Sequence, residues 1–163
     1  MLIQLEKKTA LIGVVSDTHG LFRPQLQTLL KGVDYIVHAG DVGGAWVLQK
    51  LQQTAPVLAV RGNTDTPSMI PEGLPGTAIL QTQKSAIYLL HNIEDLDLDP
   101  EAAGLNVVIY GHTHVPLIEY KEGVLLFNPG SAGPRRFRLP ISVGLLRING
   151  TDLDPEIIEI RDT

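Results

Sequence analysis

Residues His112 and His114 stand two apart in Tyr110-Gly111-His112-Thr113-His114, directly after the apolar run Asn106-Val107-Val108-Ile109. Paired imidazoles at the end of a buried strand fill a core poorly and hold metal well. The device recurs. Ile12-Gly13-Val14-Val15 runs into Ser16-Asp17-Thr18-His19, and Tyr35-Ile36-Val37 into His38-Ala39-Gly40-Asp41. Val57-Leu58-Ala59-Val60 runs into Arg61-Gly62-Asn63-Thr64-Asp65, and Ile87-Tyr88-Leu89-Leu90 into His91. In an extended backbone residues i and i+2 project to one face, so Asp17 with His19, and His112 with His114, are each expected to address one small volume. Asp41 and Asn63 add oxygen donors and His91 a nitrogen. Together these seven serve two ions only if one carboxylate is shared. Four of the five histidines belong to the set. The fifth, His38, lies within the strand before Asp41 and is read as a packing or hydrogen-bonding residue behind the donors.

The elements that must position these residues follow from the apolar pattern. Residues 9–16 form a nearly continuous β-branched run, the pattern of a strand covered on both faces. Residues 23–32 read as a helix, with Pro24 in its first turn, Gly32 as its stop and Gln25, Leu26, Leu29 and Leu30 as a packing stripe. A strand over 35–39, a helix over 45–52 and a strand over 56–60 complete a βαβαβ alternation, which predicts a parallel sheet. Ligand sites in such sheets form beyond the carboxyl ends of the strands, where all five apolar runs deliver their polar residues.

Residues 66–76 read as a loop, followed by strands over 77–81 and 85–91. The acid-rich stretch 94–101 is expected to be a solvated loop leading into a helix start near Pro100. Residues 117–120 and 124–127 flank Lys121-Glu122-Gly123 as a hairpin. Residues 142–148 and 157–160 form a second pair, with Asn149-Gly150 as turn signal and one side of each strand wet. The reading is one domain over residues 1–163, rich in βαβ at the front and in β-strands at the back.

Composition narrows the function. A net charge of −5 speaks against a general nucleic-acid-binding surface. The absence of cysteine removes thiol nucleophiles and thiolate zinc sites. The first residues lack the pattern of a signal peptide, and no apolar run is long enough to span a bilayer, so a cytoplasmic protein without membrane attachment is expected. No Gly-x-Ser-x-Gly elbow, P-loop, His-Glu-x-x-His or Gly-x-Gly-x-x-Gly fingerprint is present.

Asp17-Thr18-His19, Gly40-Asp41, Gly62-Asn63-Thr64-Asp65, His91 and Gly111-His112-Thr113-His114, in this order, resemble the calcineurin-like metallophosphoesterase family, and within it the small single-domain phosphodiesterase branch. The likeness runs from the first of these strands through Asn128-Pro129-Gly130-Ser131. It implies an α/β fold in which two mixed sheets are sandwiched between helices, a four-layer αββα arrangement. It also implies one metal held by Asp17, His19, Asp41 and His114, and a second by Asp41, Asn63, His91 and His112, with Asp41 bridging. Asp41, Asn63 and His112 would then be catalytic, through a water that the ions acidify and that attacks phosphorus in line. The donor types suit manganese, with iron, nickel and zinc also compatible. The implied partner is a small phosphodiester; a homo-oligomer is left open. A phosphomonoesterase on the same site and a protein-binding scaffold like the retromer sorting subunit are the alternatives.

Two positions depart from that pattern. Thr64 stands where many relatives have a His that protonates the leaving oxygen, and Asn92 follows His91 where relatives have Gly. Asn63, Thr64 and Ser131 are candidate substrate contacts, with a turn that buttresses the site the stronger reading for Ser131. Asp65 reads as a loop-capping carboxylate. Arg135, Arg136 and Arg138 form either a basic rim that steers phosphate or a solvated loop.

Overall fold

The computed structural model describes residues 1–161. In chain order the elements are β1 (Leu2–Gln4), β2 (Thr9–Val15), α1 (Gln25–Leu29), β3 (Tyr35–His38), α2 (Ala45–Gln52), β4 (Val57–Ala59), β5 (Thr77–Gln81), β6 (Ala86–Leu90), β7 (Val107–Ile109), β8 (Leu117–Lys121), β9 (Val124–Asn128), β10 (Ser142–Asn149) and β11 (Asp152–Glu159), with a 3₁₀ turn over Ile93–Asp95. They make two mixed sheets, one ordered β11-β10-β2-β3-β4 and the other β1-β5-β6-β7-β9-β8. As expected from the βαβαβ pattern, β2, β3 and β4 are parallel. In the larger sheet, β6, β7 and β9 are parallel too.

The sheets pack face to face through one buried cluster. Ile12, Val14, Val37 and Leu58 from the smaller sheet meet Leu80, Leu89, Ile109 and Phe127 from the larger. Helices α1 and α2 cover the outer face of the smaller sheet, seating Leu26, Leu30, Val47 and Leu51 against Val15 and Ile36. The outer face of the larger sheet, with Tyr88, Val108, Tyr110 and Val124, is covered by Ile93, Leu96, Leu98 and Leu105. That fourth layer is therefore a 3₁₀ turn and a loop. The helix expected near Pro100 does not form: Asp99 accepts from the Glu101 and Ala102 amides, and the single turn stops at Gly104, at φ +75°.

Other expectations shift. α1 spans five residues, since the chain after it tightens into i→i−3 bonds from Lys31 to Thr28 and from Val33 to Leu30. β1 carries too little pattern to be read in sequence and exists because it pairs in parallel with β5, Leu2 opposite Ile79. β11 begins at Asp152, earlier than the apolar residues 157–160, because it is an edge strand whose outer side tolerates Pro155. β10 was expected to be wet on one side, yet it is buried over Ser142–Leu146 because it lies between β2 and β11. Among the described residues, no helix is long and apolar enough to cross a membrane.

Phe127 is fully buried at the seam between the sheets. Phe127→Ala is expected to destabilise the fold by about 3–5 kcal/mol. Urea denaturation checks this, and a loss below about 1 kcal/mol would mean that the seam collapses into the space.

Candidate metal centre

The donors are brought together by register. Val15 of β2 lies opposite His38 of β3, and His38 opposite Ala59 of β4, so the three strands end side by side. Beyond those ends come Asp17 and His19, Asp41, and Asn63. The other sheet supplies His91 after β6 and His112 and His114 after β7, with Leu89 opposite Ile109. Backbone bonds stitch the loops together: Asp17 N–H donates to Gly40 O at 3.0 Å, His19 N–H to Asp41 O at 2.9 Å, and Gly111 N–H to His91 O at 2.9 Å. Gly62 and Gly111 permit this closeness. A Cβ at Gly62 would collide with the backbone and carboxylate of Asp41, and one at Gly111 with the side chains of Ser16 and Asp17.

The paired donors do converge, but not by extended alternation as the sequence suggested. Asp17, His19, Asp41, His112 and His114 all have φ between 46° and 72°, in the left-handed region. Five of the seven described non-glycine residues with positive φ are thus donors of this cluster. A bend of that kind, costing about 1 kcal/mol per residue, folds each loop back over its own strand end.

All seven side chains meet. Asp17 Oδ1 lies 3.3 Å from His114 Nε2, 3.8 Å from His19 Nε2 and 3.9 Å from His91 Nε2. His19 and His114 point their Nε2 atoms at each other across 3.4 Å. Asp41 Oδ2 stands between the two halves, 3.6 Å from His19 Nε2 and 3.2 Å from His91 Nε2. Asn63 Oδ1 is 3.0 Å from His91 Nε2 and 3.2 Å from His112 Nδ1. Asp17, His19 and His114 make one group fit to hold a metal ion, and Asp17, Asp41 and His91 a second. An ion with bonds of about 2.0–2.1 Å spaces its neighbouring donors by about 2.9–3.4 Å, the spacing of the shorter contacts here.

Hydrogen bonds aim the donor atoms inward. Ser16 Oγ–H at 2.6 Å and the His112 N–H at 3.1 Å both donate to Asp17 Oδ2. Oδ1, buried, is left with no hydrogen-bond partner. The Thr64 N–H takes Asp41 Oδ1 at 2.9 Å, leaving Oδ2 to face the histidines. His91 Nδ1–H donates to Ala39 O at 2.7 Å, so its Nε2 lone pair points at the cluster. A buried carboxylate oxygen with no hydrogen-bond partner, ringed by imidazole nitrogens, fits a cation. Burial pushes the Asp17 and Asp41 carboxyls up, but the His114 imidazole and Ser16 hydroxyl beside the first, and the His91 imidazole and Thr64 amide beside the second, hold both below the usual carboxylate range. Burial opposes a charge on His91 as well, yet Asp41 and the Ala39 carbonyl raise its pKa. The cluster is built to surround positive charge.

The residues behind the donors were only partly visible in sequence. Ser131, a candidate substrate contact, is buried; its hydroxyl donates to Asp17 O at 3.0 Å and accepts from Gly133 N–H at 3.2 Å. It buttresses the Asp17 loop. Asn128 was singled out only as part of a turn, yet its buried amide donates to Gly111 O at 3.1 Å and Thr113 Oγ1 at 3.0 Å, fastening the His112–His114 loop. Asp65 caps its loop with both oxygens, accepting from Gly43 N–H at 3.1 Å and Gly62 N–H at 2.9 Å. Thr64 is exposed beside Asn63. Asn92, in place of a glycine, adopts an extended conformation at φ −118° and caps the 3₁₀ turn, so it leaves His91 in the cluster.

His38 has a fixed tautomer. Thr18 Oγ1–H donates to Val42 O, so at 3.0 Å from Thr18 Oγ1 the His38 Nε2 must carry the proton. Its Nδ1 accepts from Gly40 N–H at 3.1 Å. The ring thus ties the Asp17–His19 loop to the Gly40–Asp41 loop as a neutral group, and burial pushes its pKa down to about 4 from 6.5. The unfolded chain takes up a proton between pH 6.5 and 4 that the folded state refuses, so stability is whole above pH 6.5 and declines as pH falls through that window. The decline attributable to His38 is about 3 kcal/mol. His38→Gln should flatten it, as measured by urea denaturation of both proteins across these pH values; parallel curves would contradict the assignment.

With this geometry in hand, known proteins share both its sequence and its shape. The model of the calcineurin-like phosphoesterase superfamily domain matches residues 11–151. A probable metallophosphoesterase of Methanothermobacter thermautotrophicus is 36% identical over 160 residues, which cover 91% of each chain. The phosphodiesterase YfcE of Escherichia coli is 31% identical over 157 residues, covering 80% of this chain and 84% of that protein. In shape, vacuolar protein sorting 29 of Cryptosporidium parvum matches with a TM-score of 0.74 over 94% of this chain and 99% of its own, at 19% identity, which shows a common fold. Ordered motifs, converged donors and these matches agree: the chain belongs to the calcineurin-like phosphoesterase superfamily.

Proposed function

We propose that this protein is a metal-dependent phosphodiesterase with two adjacent divalent ions. One would be held by Asp17, His19, Asp41 and His114, the other by Asp41, Asn63, His91 and His112, with Asp41 shared. The observation that carries this reading is the position of Asp41 Oδ2, within 3.6 Å of an imidazole nitrogen in each half of the cluster. Two such ions would supply Lewis acidity for the phosphoryl oxygens and a water acidified towards neutrality. The chain's own residues do the remaining work. Asp17, Asp41, His91 and His114 are buried and form a fixed floor, whereas Asn63 and His112 are exposed and face the approaching ester. The relatives named as phosphodiesterases favour a diester over a monoester. The scaffold reading draws on a likeness of fold alone.

Elemental analysis of the purified protein, with hydrolysis of bis(4-nitrophenyl) phosphate and 4-nitrophenyl phosphate before and after chelation, tests the proposal. Manganese is the expected best activator and the diester the better substrate. Asp41→Asn should lower the content of both ions and cut kcat/KM by about 100-fold or more, because one weakened oxygen serves both positions. Two retained ions with full turnover would remove Asp41 from the bridge.

Protonation of the leaving group has no dedicated residue here. Thr64 is a poor general acid, and both oxygens of Asp65 are occupied as loop caps. Rates should therefore fall steeply as the leaving-group pKa rises across a series of aryl phosphodiesters. A flat series would mean that another group donates the proton.

A further inference from the structure

Phe137 is the most exposed large apolar side chain among the described residues, at 87%, and its backbone sits in the left-handed region at φ 55°. Exposed arginines flank it: Arg135, Arg136 and Arg138 place three of the chain's thirteen basic residues within four positions, although the net charge is −5. Nothing in the folding of the core requires this. An aromatic ring held out in solvent on a strained backbone, with arginines on both sides of it in sequence, has the make-up of a stacking platform for an unpaired base with cations for its phosphates.

The loop is anchored on the segment that carries the donors Asp17 and His19. Where it begins, Ala132 N–H donates to Ser16 O at 3.0 Å, and Arg23 Nη2–H donates to Gly133 O at 3.1 Å. Gly133 lies so close to the Asp17 and Thr18 carbonyls that a Cβ there would collide with them. Where it ends, Ser142 N–H returns to Ser131 O at 2.9 Å. Between these ends the chain makes a tight turn, with Leu139 N–H to Arg136 O at 3.1 Å and Arg135 Nη1–H to Leu139 O at 3.4 Å. Phe137 is four residues from Gly133, so it lies within about 14 Å of it. Two or three nucleotides span that distance.

We propose that the Arg135–Arg138 loop holds the nucleotides flanking the scissile bond of a short single-stranded oligonucleotide, the base on Phe137 and the phosphates on the arginines. This inference rests on the phosphodiesterase reading and names its substrate class. A duplex offers no free base face to a single ring. A bilayer is a poorer match, because one aromatic side chain on an acidic protein gives little insertion. The patch is small, so binding is weak and its salt dependence shallow: three phosphate contacts give a slope of log K against log salt of about −2.

The test measures fluorescence anisotropy of a labelled oligothymidylate of about six nucleotides with the metal-free protein. Phe137→Ala and Phe137→Leu should each weaken binding about ten-fold or more, Phe137→Trp should retain it, and each Arg→Gln change should reduce the salt slope by about 0.7. With manganese present, the ratio of kcat/KM for the unlabelled oligonucleotide to that for methyl 4-nitrophenyl phosphate should fall about ten-fold in Phe137→Ala. Circular dichroism confirms that each variant is folded. The proposal is overturned if the oligonucleotide does not bind, if leucine serves as well as phenylalanine, or if the ratio does not move. Binding to phosphatidylglycerol vesicles that survives Phe137→Leu would instead assign the loop to a lipid surface. If wild type with manganese hydrolyses neither substrate, the phosphodiesterase reading fails, and the anisotropy result still decides the loop.

Discussion

A buried carboxylate oxygen without a hydrogen-bond donor is the constraint on which this structure depends. Asp17 is fully buried, its Oδ2 is taken by Ser16 and the His112 amide, and its Oδ1 faces three imidazole nitrogens instead. An isolated charge in such a place is strongly disfavoured, and protein dipoles alone do not relieve it. Positive charge does. Divalent ions would occupy that potential. The cluster thus has the charge and the geometry to trap a cation.

Holding the trap open requires backbone strain, and the rest of the fold resists its release. Five donors sit in left-handed conformations, together several kcal/mol of local cost. Backbone bonds between loops, the His38 imidazole and the Asn128 amide each lock one loop to another. The loops spring from strands of two different sheets, with Asp17, His19, Asp41 and Asn63 on one and His91, His112 and His114 on the other. The distance between the sheets, set by Phe127 and its neighbours, therefore also sets the distance between the two halves of the site.

The cluster is asymmetric in its access. Its floor is buried, while Asn63, Thr64 and His112 meet solvent. This separates two roles: the buried donors are held rigidly by their neighbours, whereas the exposed groups remain accessible from solvent.

The sequence by itself determined which side chains would gather. Apolar runs that end in Asp, Asn or His state both a strand and what stands at its carboxyl end, because burial and side-chain type are local properties. His38 as a supporting residue and Asp65 as a loop cap were legible for the same reason. Tertiary structure alone decided how they gather. The left-handed turns at Asp17 and His112 fold each loop back over its own strand end and against a neighbouring loop, a demand that alternation within one strand does not carry. The strand at Leu2–Gln4 exists only through its pairing with β5, and Ser131 and Asn128 have their partners more than ten residues away. Local pattern chooses the residues, whereas register and the packing of one sheet on another choose their distances, and those depend on contacts that no short stretch of sequence contains.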